Sequence, residues 1–356
     1  MDFEEFSKKT ILEIDKELEK LLSDWRKEVA VISKDFLPLI DKFISGSKGG
    51  KRVRGSLVVL GYQLSMSFWQ ARNERIQNLD SGVGRQGRPP QNDIYKIAAA
   101  YEIFHTAILT HDDVIDESLL RRGQPSLYQA LGGNHYGASQ AICLADAGFF
   151  LAVKIISESS FPEKEKNEAL RRFSRIMLST VLGEMLDVEK GDVSTIMKLK
   201  TAEYTISGPL QLSAVLGGAD QKLIKRLGEF GENLGVAFQI QDDILGVFGS
   251  PEQTGKSITS DIEEGKNTLL HNHALKKANS LQKQFLEEYY GKSNIGDQEV
   301  EEVRQVFKET GALDYAKKQT QEYKGRAMKV IPGITKDPKM SKLLEQAAEY
   351  LVERNK

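Results

Sequence analysis

Apolar residues recur three and four positions apart through most of the chain, and nowhere do they alternate singly over the length of a strand. Ile11, Ile14, Leu18, Leu21, Leu22 and Trp25 fall on one side of a helix over Ile11–Val29, which can pack on the body or on a second subunit. Phe36–Ile44 continues in the same period until Ser45-Gly46-Ser47-Lys48-Gly49-Gly50 breaks it, and Lys51-Arg52-Val53-Arg54 opens another helix with an apolar section at Leu57–Leu60. Glu74–Asp93 is polar and rich in glycine and proline, so it reads as an exposed loop between two helices rather than between two domains. Further helices are expected up to Asp116 and over Gly137–Ser157, Glu168–Val188, Lys198–Leu216 and Leu227–Val247. Beyond His271 the pattern is helical and polar, with breaks at Tyr290–Asp297 and Ile331–Pro338. With no internal repeat or low-complexity linker, the pattern predicts an all-α chain, one domain over residues 1–356, built as a bundle of roughly ten or more helices.

The apolar run Ala98–Asp116 ends in three carboxylates, Asp112, Asp113 and Asp116. On a helix Asp112 and Asp116 share one face, with Ile108 and His105 one and two turns behind them. Like charges so placed repel, and therefore need a cation or a solvated exit. Oxygen ligands grouped this way suit Mg2+, bound by one or two carboxylates with room for waters and phosphates, and Mn2+ is the alternative. A solvated helix end is the plain reading of such a motif taken alone. Phe238-Gln239-Ile240-Gln241-Asp242-Asp243 repeats the arrangement at helical spacing behind Leu234–Ala237. Two acidic clusters, each backed by apolar residues, can face each other across a cavity suited to a ligand that is phosphate at one end and hydrocarbon at the other.

Basic residues accompany both clusters. Glycines ahead of Lys51, Arg52 and Arg54 make a phosphate seat at a helix start, or else a solvated basic loop. Arg121 and Arg122 return two guanidiniums to the first cluster, either to bind phosphate in bidentate fashion or merely to pair with the aspartates. Lys200 and Thr201 share a helix flank with Tyr204 and Thr205, and taken alone read as surface residues. Lys256 and Lys266 sit in glycine-flanked loops that could close over a metal-bound diphosphate.

The overall charge of −2, from 49 basic and 51 acidic residues, gives no electrostatic reason to expect nucleic acid. Cys143 is the single cysteine, which excludes an internal disulfide and a cysteine-rich zinc site and favours a cytoplasmic location. The first residues lack a basic segment followed by an apolar core, and no stretch approaches about 18 uninterrupted apolar residues, so no transmembrane segment is expected.

The chain resembles the trans-isoprenyl diphosphate synthases, the polyprenyl synthase family. The resemblance is carried in order by Gly49–Arg54, His105, Asp112–Asp116, Arg121-Arg122-Gly123, Lys200-Thr201, Gln239–Asp243, Thr254-Gly255-Lys256 and Asp261–Lys266, a core of residues 35–275. It implies the isoprenoid synthase bundle around a central cavity, and a metal-dependent head-to-tail condensation of isopentenyl diphosphate with a dimethylallyl, geranyl or farnesyl diphosphate. Asp112, Asp116 and Asp242 would hold the metal, with Asp113 and Asp243 in support. By the same resemblance Lys51, Arg54, His105 and Arg122 serve isopentenyl diphosphate, with Arg52 a weaker candidate. Arg121 and Lys200 serve the allylic diphosphate, and Thr201, Gln239, Lys256 and Lys266 join the substrate-binding set. Three positions differ from the common family pattern: Gly55 stands where many members carry proline, a change compatible with the pattern, Glu184 where glutamine is common, and Gly246 where many members carry a third aspartate.

In the family, bulky residues four and five positions before the first aspartate limit product length. Here these are Ile108 and Ala107, neither aromatic, while Phe104, eight residues before Asp112, lies about 12 Å deeper than that aspartate and could serve as a lower floor. A C20 geranylgeranyl product is expected, with C25 or longer next and farnesyl disfavoured. A homodimer is expected as well. The rival readings are a terpenoid cyclase, which should show an Asn/Asp–Ser/Thr–Glu triad at the second site, and a regulatory subunit, which usually loses aspartates from the first cluster.

Overall fold

The computed structural model describes residues 2–78, 93–249 and 260–353, so Lys256 and most of the expected loop before Asp93 lie outside the described residues. Helix α1 (Phe3–Ile32) is capped by Asp2, whose side chain accepts from the Glu5 N–H, and it buries Phe3, Phe6, Ile14, Leu18 and Leu22. A single 3-10 turn leads into α2 (Leu37–Gly46), and α3 (Val53–Asn78) runs past Glu74, where a loop was expected. Helix α4 (Asp93–Ile115) is buried on nearly all sides from Ile94 to Ala107, which is why its sequence shows an apolar run rather than a stripe. It packs against α1, α3 and α6 (His135–Ser157).

After α4 the chain leaves the helix and forms a hairpin that the periodicity does not announce. Leu120–Arg121 and Gln124–Pro125 pair antiparallel as β1 and β2. The two residues between them, Arg122 and Gly123, have φ of 54° and 72°, which suits the tight hairpin loops whose twist matches that of the strands. A four-residue α5 (Leu127–Ala130) then precedes α6.

Helix α7 (Glu163–Val188) leads through α8 (Val193–Ile196) into a π-helical stretch, Met197–Ser207, continued by α9 (Gly208–Leu216). Wide turns of this kind are rare and often occur at functional sites. Here the stretch passes very close to α7: a Cβ added to Gly183 would lie 2.4 Å from the Lys200 backbone nitrogen, so only glycine allows the approach. Helix α10 (Gln221–Phe248), α11 (Ser260–Glu263), α12 (Leu269–Lys277), α13 (Ser280–Tyr289), α14 (Asp297–Glu309), α15 (Ala312–Ile334) and α16 (Pro338–Val352) complete the chain.

The buried apolar residues form two clusters. The larger joins α1, α3, α4, α6, α7 and α9 with the first half of α10 and the end of the chain. The smaller joins the second half of α10 to α12, α14 and α15. Among the described residues, α6 is the one helix long and apolar enough to cross a membrane, yet it packs on α4 within the larger cluster.

Candidate active site

A cavity of about 320 Å3 opens between α4, α7, the π-helical stretch and α10. Its walls bring together Lys51, Arg54, His105, Asp112, Asp116, Arg121, Lys200, Thr201, Gln239, Asp242, Asp243 and Lys266 from the sequence-predicted set. Arg52, Asp113 and Arg122 do not line it.

The first acidic cluster is held by its neighbours in distinct ways. Asp112 and Asp116 face the cavity, whereas Asp113, on another side of the helix, is buried and accepts from Arg121 Nε at 2.8 Å. The Arg121 fork also reaches Asp112 Oδ2 at 3.0 Å. Burial, then Asp112 and Glu264, push the Asp116 carboxyl up to about 7. The hairpin separates the two arginines: Arg121 turns toward the carboxylates, while Arg122 lies over Gly50 and donates to the carbonyls of Lys48 and Gly49 at 3.3 and 3.4 Å. Arg122 thus borders the glycine turn whose φ values of 71° and 89° at Gly49 and Gly50 present Lys51.

Arg52 is drawn inward instead. It is buried with Nε 2.7 Å from Asp15 of α1 and Nη1 3.7 Å from Glu102 of α4. Two residues on, Arg54 returns to the cavity, donating to Thr205 at 2.9 Å and stacking over the Tyr204 ring at 4.4 Å. Its Nη1 lies 3.1 Å from His105 Nε2, and its buried Nε has no hydrogen-bond partner. Burial, then Arg54 and Arg122, hold the His105 imidazolium well below its ordinary range, so the ring is neutral. A neutral imidazole and a guanidinium with an unused N–H suit an anion arriving beside them.

Lys200 is gripped by three carboxylates: Asp187 at 2.7 Å, Glu184 at 2.9 Å and Asp112 at 3.5 Å. Burial would lower its ammonium, but these three neighbours more than offset that and raise it. Glu184, the departure from glutamine, therefore adds a second anchor for the lysine. At the second cluster Thr201 donates to Gln239, which donates to Asp243 at 2.7 Å. Burial raises the Asp243 carboxyl well above its ordinary value, with Asp261 and Asp242 adding to the effect. Lys266 contacts Asp261 at 2.9 Å and Glu264 at 3.1 Å.

A second cavity, about 580 Å3 and mostly apolar, adjoins the first, and Ile108, Asp112, Thr180 and Glu184 belong to both walls. Phe104 lines it deeper along α4, together with Phe149 and Met177. Phe104 is fixed by aromatic contacts to Tyr101, Phe149 and Phe173, at centroid distances of 5.6, 5.7 and 4.7 Å. Ala107 lines neither cavity; it is buried against Gly148 of α6.

Tyr204 and Thr205, which position Arg54, and Asp187 and Asp261, which hold the two lysines, join the site although the sequence reading gave them no role. The signal for Asp261 lay in its spacing from Lys266, and that for Asp187 in its helical distance from Gly183.

An all-helical bundle with two aspartate clusters across one cavity and a ring of basic residues defines a class of diphosphate-handling enzyme. The sequence pattern of the Polyprenyl synthetase family matches residues 39–310, and the chain belongs to that family. Its relatives include a geranylfarnesyl diphosphate synthase of Aeropyrum pernix, 32% identical over 272 residues covering 73% of this chain and 82% of that one. A geranylgeranyl diphosphate synthase of Saccharolobus solfataricus is 31% identical over 270 residues, or 73% and 78% of the two chains. The fold matches that of a Corynebacterium glutamicum geranylgeranyl pyrophosphate synthase solved with isoprenyl diphosphate and magnesium, with a TM-score of 0.87, full coverage of both chains and 24% identity. The chain is therefore a head-to-tail prenyl diphosphate synthase, a transferase of isoprenoid biosynthesis, in a family that uses Mg2+.

Proposed function

We propose that the enzyme condenses isopentenyl diphosphate with an allylic diphosphate to make geranylgeranyl diphosphate, using Asp112, Asp116 and Asp242 as Mg2+ ligands. The observation that carries this reading is the pair of adjoining cavities, one lined by carboxylates and cations and the other apolar, which meet at Ile108 and Asp112. The donor set fits the ion. Among the described residues no three His, Cys, Asp or Glu side chains converge as a preformed cage. Carboxylate oxygens spread over two helices suit an ion that keeps waters and takes phosphate oxygens. When bound, Mg2+ would neutralise the allylic diphosphate and favour its departure as pyrophosphate.

The chain's own residues do the rest. Arg121 and Lys200, and Lys256 outside the described residues, bind the allylic diphosphate, and Lys266 with Thr201 and Gln239 borders the leaving group. Lys51, Arg54, His105 and Arg122 seat isopentenyl diphosphate with its double bond toward the allylic carbon. The surrounding apolar walls keep water from the allyl cation. After the new carbon–carbon bond forms, the released pyrophosphate takes the proton, so no side-chain nucleophile is needed. Arg52, neutralised between Asp15 and Glu102, stiffens this region rather than touching substrate.

The growing chain passes Ile108 toward Phe104, whose packed ring sets a C20 floor; C25 is the neighbouring outcome if the chain bends toward Val181 and Met185. One domain is part of the same reading, since α10 lends its two halves to both core clusters. So is a homodimer through α6 and α7, where Phe150, Leu178, Val181 and Met185 are 75%, 66%, 56% and 60% exposed in the single chain. Only monomer in sedimentation at micromolar concentration would contradict the dimer. A cytoplasmic location accords with the single unpaired Cys143. The test is to incubate the protein with Mg2+, isopentenyl diphosphate and each allylic primer, and to read product length by chromatography. A C20 product is expected; no product from any primer would refute the catalytic reading in favour of a regulatory subunit.

A further inference from the structure

The turn between α11 and α12 that presents Lys266 to the cavity is gripped from outside by the chain leaving α13. Tyr290 donates its hydroxyl to the Lys266 carbonyl at 2.7 Å, and the Gly291 N–H donates to the Ile262 carbonyl at 2.8 Å. One bond falls on the lysine itself and the other on the short helix before it. The two backbones meet where they cross: a Cβ on Gly265 would lie 2.8 Å from Gly291 Cα, and both glycines have positive φ, 61° and 95°. The Tyr290 ring is fixed in turn. It stacks on His271 of α12 with centroids 4.1 Å apart and planes at 11°, and it tilts against Phe307 of α14 at 6.0 Å. Tyr290 does not line the cavity; it reaches only the carbonyl of the residue whose side chain does.

We propose that Tyr290 is a positioning residue for the reaction: it fixes the main chain at Lys266 and so aims that ammonium at the leaving pyrophosphate. This rests on the reading of Lys266 given above and adds to it the part of the fold that holds the lysine. Asp261 and Glu264 also contact the ammonium, but they belong to the same segment and move with it. Tyr290 comes from another helix end and packs on the smaller core cluster, so it ties the turn to a rigid body. A cation held in place beforehand has less freedom to lose when the anion binds. Helices α13 and α14, which carry none of the sequence motifs, thereby bear on the site.

Tyr290→Phe is the test, because it keeps the ring and its stack on His271 and removes only the hydroxyl. In the full chain with Mg2+, calorimetric affinity for inorganic pyrophosphate should fall about threefold to tenfold, the size of one lost hydrogen bond. KM for the allylic substrate should rise by a similar factor, while KM for isopentenyl diphosphate stays at the wild-type value, a split that a merely structural tyrosine would not produce. In a Lys266→Ala background the same change should cost almost nothing more. Circular dichroism confirms that each variant is folded. Wild-type pyrophosphate affinity in Tyr290→Phe, equal rises in both KM values, or the same fall repeated without Lys266 would overturn the inference and leave the catalytic reading intact. Undiminished pyrophosphate binding in Lys266→Ala would refute the reading of that lysine and the inference with it.

Discussion

The two acidic clusters share a sequence pattern but are built differently. At the first, Asp112 and Asp113 are tied by Arg121, and Lys200 bridges Asp112 to Glu184 and Asp187, charge pairs set by the hairpin after α4 and the π-helical stretch. At the second, Asp243 is buried against the neutral amide of Gln239, and the cation Lys266 is taken by Asp261 and Glu264. Asp112 and Asp113 are therefore neutralised in advance by residues that can transfer their hydrogen bonds to a diphosphate. Each cluster also keeps one carboxyl raised by burial, Asp116 at the first and Asp243 at the second, and a cation arriving there favours the charged form.

Removing one member from each side should have the largest effect. Asp112→Ala and Asp242→Ala are each expected to lower kcat at least about a hundredfold at saturating Mg2+, with little change in Tm, since each deletes a cavity-lining carboxylate and not core volume. Near-normal rates in either would mean that one cluster suffices. Next come the hairpin arginines. Arg122→Ala should raise KM for isopentenyl diphosphate roughly tenfold to a hundredfold, about 1.5–3 kcal/mol for a charge-assisted contact, and Arg121→Ala should do so for the allylic substrate. Equal effects on both substrates would show that the hairpin does not separate them.

Product length should respond more gently. Ile108→Phe, at the junction of the cavities, should shift product toward C15, and Phe104→Ala should shift it beyond C20 while costing about 3–5 kcal/mol of stability. An unchanged product distribution in both would place the floor elsewhere. The smallest effect concerns pH. Burial lowers His271 from 6.5 to about 4, so below pH 6.5 the unfolded chain takes up a proton that the folded chain refuses. Stability is fully present above 6.5 and falls between 6.5 and 4. Tm measured at pH 7 and pH 5 should drop less in His271→Gln than in wild type.

The helices and both clusters were legible because 3.6-residue periodicity runs up to each aspartate pair without interruption. The hairpin was not, since four paired residues are too few to show an alternation; its trace in the sequence was Gly123, a residue that readily takes the positive φ found there. Arg52 and Ala107 show the limit of position along a helix start or a motif. Sequence neighbours of Arg54 and Ile108, they face Asp15 and Gly148 instead of the cavities, because the packing of α1 and α6 decides which side is inward. Asp261 and Gly246 were each visible, but that the Asp261 carboxylate lies against Gly246 belongs to three-dimensional contact alone.

The central claim is that the two clusters hold one diphosphate jointly through Mg2+. Titrating inorganic pyrophosphate into the wild-type protein, with and without Mg2+, and into Asp112→Ala and Asp242→Ala tests it most directly. Tight binding that requires Mg2+ and is lost in both variants is the predicted result. Equal binding without Mg2+, or undiminished binding in either variant, would contradict it.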